Sequence, residues 1–62
     1  MKIDYESLRH AYYNQLIVYR GDLIWADYIG ISKSIIENKN YSDSQKVRAM
    51  KELVAAFNIV NA

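Results

Sequence analysis

The chain contains no cysteine, no proline and only two glycines, at positions 21 and 30. Without cysteine there are no disulfides and no thiolate metal sites. The single histidine, His10, has no second imidazole to join it, so the common zinc patterns cannot be assembled within one chain. Proline is missing and no stretch alternates cleanly between apolar and polar residues, which points to helices rather than strands. Uninterrupted apolar runs extend only a few residues, far below the roughly 20 needed to span a bilayer. The N-terminus lacks the basic-then-apolar order of a secretion signal. Together these absences predict a cytoplasmic protein with no membrane partner and no bound metal or other cofactor.

What remains is a chain of 62 residues, 52% hydrophobic and 24% charged, the composition of one ordinary globular domain over 1–62. A domain of this length buries only about 60% of the surface its unfolded chain exposes. With neither metal nor disulfide to supplement the core, it relies on tidy helix packing or on a partner subunit, and a homodimer is expected. The net charge is +1. It is unevenly spread: residues 1–30 carry three basic and four acidic side chains, residues 31–62 five basic and three acidic. The second half therefore suits a nucleic-acid face better than the first.

The spacing predicts a small all-α domain of four helices. The first begins after Asp4, whose carboxylate can accept from an unpaired amide at a helix start, and stops at Gly21. Tyr5, Leu8, Tyr12, Leu16 and Tyr19 form its inward stripe. Tyr13 and Ile17 widen that stripe beyond what one small core needs, and they are the candidate dimer or partner contacts. A short second helix over 22–29 turns Leu23, Trp25, Ala26 and Ile29 inward. A third over 33–38 follows, ended by the polar run 38–40. The fourth starts at Ser42-Asp43-Ser44-Gln45, which fits a capping box. Val47, Met50, Leu53, Val54 and Phe57 supply its apolar stripe, and Asn58 is a left-handed cap before Ile59 and Val60 fold back. Arg48 and Glu52 are spaced as an i,i+4 ion pair.

Between the second and third helices lies Ala26-Asp27-Tyr28-Ile29-Gly30-Ile31-Ser32-Lys33-Ser34-Ile35-Ile36, the layout of a helix-turn-helix. Ala26 is small enough for two helices to meet at a steep angle. Gly30 can take the positive φ that a sharp turn needs, Ile31 plugs the space between the helices, Ser32 caps the incoming one and Ile36 returns it to the core. The pattern Ala26-x-x-x-Gly30-Ile31-Ser32-x-x-x-Ile36, after the apolar Trp25, resembles the Cro/repressor-type, or Xre-type, helix-turn-helix regulators of phages and bacteria. The last helix, Met50 to Ile59, is similar to the apolar closing helix of that family. The resemblance implies a homodimeric repressor on double-stranded DNA, with Ser32 opening the recognition helix. By the same resemblance, Lys33, Ser34, Glu37 and Asn38 face the major groove, Ile35 touches a thymine methyl, and Lys39 and Asn40 lie near the backbone.

A second reading comes from another class. The near-neutral charge, the acidic Asp22 at the start of the second helix and the surplus apolar residues of the first all suit a small helical module that inhibits or modulates a protein partner. Catalysis is not expected. Gly30-Ile31-Ser32 matches part of a nucleophile elbow, but the second glycine and the strand-turn-helix scaffold are missing, and no small-molecule substrate is expected.

Overall fold

In a computed structural model, residues 2–18 and 24–61 are described, and they form three helices: α1 (Tyr5–Val18), α2 (Ile24–Ile36) and α3 (Asp43–Asn61). The all-α expectation holds, but the four-helix count does not. The starts of α1 and α3 are set by the chemistry the sequence supplies. The Ser7 backbone N–H donates to Asp4 Oδ1 at 3.2 Å and its hydroxyl to Oδ2 at 2.9 Å, which caps α1. These bonds, the backbone one first, hold the Asp4 carboxyl below its ordinary value. At the start of α3 the capping box closes reciprocally, with Ser42 N–H donating to Gln45 Oε1 at 2.8 Å and Gln45 N–H to Ser42 Oγ at 3.2 Å. Tyr19, Arg20, Gly21, Asp22 and Leu23 lie outside the described residues, and with them the expected stop of α1 and cap of the next helix.

The expected turn at Ala26, Gly30 and Ile31 is replaced by helix. The segments 22–29 and 33–38, expected as separate helices, merge into α2, which runs unbroken through Gly30. Gly30 has no left-handed backbone. Ser32 does not cap an incoming helix; its hydroxyl donates to the Tyr28 carbonyl at 2.9 Å, one turn back in the same helix. The reason is periodic burial across the glycine: Ile24, Ile31 and Ile35 are buried and Tyr28 packs against them, at spacings of four, three and four. A glycine inside a helix costs about 1 kcal/mol relative to alanine, and burying a single isoleucine returns about 1.5–3 kcal/mol. The tertiary term wins.

The inward face of α2 is also rotated from expectation. Trp25, Ile29 and Ile36, expected inside, are 59%, 62% and 58% exposed, and Ala26 is exposed as well. The helix ends at Ile36, two residues before the expected Asn38, and the polar run forms a connection organised by Asn38. The Asn38 carbonyl accepts from Tyr41 N–H at 3.3 Å, and its side-chain oxygen accepts from Asn40 N–H at 2.9 Å.

Helix α3 continues to Asn61 rather than breaking at Asn58. Val60 falls on the stripe of Ala49, Leu53 and Ala56, and extending the helix buries it. Val47 and Val54, expected inside, are exposed. The i,i+4 pair is not made: Glu52 reaches across to Arg9 of α1 at 3.6 Å, and the Arg48 guanidinium lies 4.5 Å over the Tyr5 ring. Both contacts strap α3 to α1, its more extensive neighbour. The molecule measures 33 × 20 × 13 Å between Cα atoms. At roughly 8–10 Å between helix axes, the shortest dimension holds only two layers of helix.

A β-carbon at Gly30 would meet nothing within 4 Å. Gly30→Ala is therefore expected to raise unfolding free energy by about 0.5–1 kcal/mol in urea titration. A loss of stability would instead indicate a turn at this position.

Candidate functional site

Two apolar stripes run along α2. The first, Ile24, Tyr28, Ile31 and Ile35, faces the core. The second is Trp25, Ile29 and Ile36, with Ser32 among them; at 100° per residue these four lie within about 60° of one another, beside the buried stripe. On α3 the adjoining side chains are Val47, Met50, Val54 and Phe57. The two helices run in opposite directions: Trp25 meets Phe57 with ring centroids 4.8 Å apart, while Ile36 borders the same depression as Val47, Met50 and Val54 at the other end. Tyr28 completes an aromatic cluster, 4.7 Å from Phe57 and 6.1 Å from Trp25.

At the Ile36 end the side chains enclose an open apolar depression of about 450 Å³, walled by Ile36, Val47, Met50 and Val54 with Lys46 and Lys51. No acidic side chain lines it. An exposed apolar surface continuous over two helices and rimmed by charge is the form taken by protein-interaction sites.

On the other side of α2, Tyr12, Gln15, Asp27, Gly30 and Ser34 border a more polar cleft between α1 and α2, about 270 Å³ in volume. Gln15 Nε2 donates to Asp27 Oδ1 at 3.1 Å and ties the two helices together. Asp27 Oδ2 is enclosed without a hydrogen-bond partner among the described residues. Burial pushes the Tyr12 phenol up to about 12, and neighbouring Tyr41 adds to the effect.

The structure separates the sequence-derived DNA contacts. Lys33, Ser34, Glu37, Lys39 and Asn40 are exposed, and Ser32 is half-buried. Ile35, assigned to a thymine methyl, is 3% exposed in the core and reaches no external ligand. Asn38 is half-buried, with its side-chain oxygen engaged by the Asn40 amide. Tyr13 and Ile17 are half-buried and pack against the core rather than standing out from α1. Sequence reading missed the Trp25–Ile29–Ile36 stripe as a surface. The available signal was that α2 is apolar on more than one face, more than a small core can cover.

Among the described residues no three His, Cys, Asp or Glu side chains come together as a metal site, and no helix is long and apolar enough to cross a membrane. Comparison with protein-family models, curated proteins and solved structures finds no match to this chain.

The raised Tyr12 value sets the sign of a pH effect. The unfolded chain releases this proton near 10.0, whereas the folded chain holds it to about 12. Stability from the protonated phenol is thus intact below pH 10 and declines as pH rises from there towards 12. Tyr12→Phe is expected to flatten the fall in melting temperature over that window, as followed by circular dichroism. An unchanged slope would count against this role for Tyr12.

Proposed function

We propose that this protein is a small helical binding module that engages another protein through the α2/α3 face. The observation that carries this reading is the exposure of Trp25, Ile29 and Ile36 beside Val47 and Val54. In a 62-residue domain with a scant core, so much apolar surface left in water lowers solubility and contributes nothing to folding. A partner that covers it recovers that free energy.

DNA binding by a homodimeric, helix-turn-helix repressor is the second reading. It is favoured by the exposed Lys33, Ser34, Glu37, Lys39 and Asn40 near the end of α2. Against it stand the unbroken course of α2 through Gly30 and the burial of Ile35. Such a protein would need to present α2 by its C-terminal half, whereas the helix-turn-helix family reads bases from the N-terminal residues of its recognition helix.

The two readings separate in one paired experiment. The wild type and an Ile36→Asp/Val54→Asp variant are each immobilised to capture proteins, and each is titrated with duplex DNA by fluorescence anisotropy. Both substituted residues are exposed, so circular dichroism should be unchanged. The module reading expects a captured protein whose binding weakens by about 2 kcal/mol or more in the variant. Salt-dependent binding to one near-palindromic duplex, lost in Lys33→Ala but unaffected by the double substitution, would favour the repressor.

A further inference from the structure

We infer that the occupant of the α2/α3 face is an amphipathic helix of another protein, with acidic residues flanking its apolar stripe. This rests on the protein-binding reading and specifies the partner's chemistry. Shape gives the first half of the inference. Two antiparallel helices with a shallow apolar channel between them present the seat that a further helix fills in a four-helix bundle. The exposed stripe from Trp25 to Ile36 extends about 16 Å along α2, roughly three turns of helix. The depression at the Ile36 end is walled by aliphatic side chains, and Trp25 and Phe57 pack together at the other end of the stripe.

Charge gives the second half. Lys46 and Lys51 border the channel, and neither takes part in an ion pair among the described residues. Lys33 is exposed on the adjacent flank of α2. The other charged side chains of the middle of α3 are already engaged towards α1, Glu52 by Arg9 and Arg48 by the Tyr5 ring. Glu37 lies in the connection and Asp43 opens α3 one turn before Val47, on the same side of that helix but beyond the end of the depression, which neither lines. A helix seated in the depression therefore meets two lysines and no carboxylate in its lining, and carboxylates on its flanks are the complementary groups.

A second copy of this chain does not meet that requirement. Two identical faces would bring lysine rims together. Elsewhere among the described residues the exposed large apolar side chains are Val18 and Ile59, on different helices, with no acidic stripe to present.

Trp25, the only tryptophan, sits on the face and reports its occupancy. Its emission would be followed while the intact protein is titrated with peptides of about 18 residues, long enough to cover the channel. One carries an apolar stripe at three-and-four spacing flanked by glutamate, one the same stripe flanked by lysine, and one the first composition scrambled. Anionic phospholipid vesicles form a fourth arm. The expected result is a blue shift with the glutamate-flanked peptide that weakens with salt, and binding of the lysine-flanked peptide at least about tenfold weaker. Lys46→Glu/Lys51→Glu, both on the helix exterior, should reverse that preference. Equal binding of the two flanked peptides would overturn the acidic-helix inference while leaving the protein-binding reading standing. No response to any peptide would likewise overturn it, with the capture experiment then deciding the broader reading. A shift with vesicles alone would overturn both in favour of a lipid surface.

Discussion

The seam of Ala49, Leu53, Ala56 and Val60 along α3 is the constraint on which the rest of the fold depends. The first three have no exposed surface at all, and the stripe packs with Leu16 of α1 and with Ile24, Ile31 and Ile35 of α2. Two alanines among the four let a neighbouring helix come close, because interaxial distance follows the size of the side chains at the contact. α1 is further held against α3 by the Arg9–Glu52 pair and by Arg48 over Tyr5. α2 shares the same core but packs less extensively on α3. It therefore keeps a second apolar stripe uncovered, and from that asymmetry the candidate site arises.

Much of this was legible in the sequence wherever a local interaction decides the structure. Asp4 and the Ser42–Gln45 box mark their helix starts because the stabilising hydrogen bonds are made within four residues. Leu16 and Leu53 were recognisable as core from their periods, and the polar run after Ile36 as a connection. Gly30 was not legible. A glycine between apolar segments is compatible with a turn or with a mildly destabilised helix, and the choice rests on whether Ile31 and Ile35 find cover, which only the assembled bundle determines.

The face of α2 was hidden for a related reason. With isoleucines at positions 24, 29, 31, 35 and 36, a tryptophan at 25 and a tyrosine at 28, several rotations of the helix satisfy an amphipathic pattern almost equally well. The partners of α2, not its own sequence, select the rotation. Asn58 misled similarly: its preference for a left-handed cap is outweighed once Val60 can join the seam. The candidate site thus consists largely of residues whose hydrophobicity marked them for the interior, and whose exposure follows from the rotation at which α2 packs.

A net charge of +1 also conceals how the charges are sorted. The pairing of Glu52 with Arg9 removes an acid from the outer surface of α3, while Lys46 and Lys51 remain on the opposite flank. The result is a local basic rim around an apolar depression on a molecule close to neutral in total. In dilute salt such a rim attracts the anionic side of an approaching partner before any contact forms, and at physiological ionic strength its reach shrinks to about 8 Å. A nearly neutral protein of this kind would choose its partner's orientation during encounter even though its overall charge attracts nothing at long range.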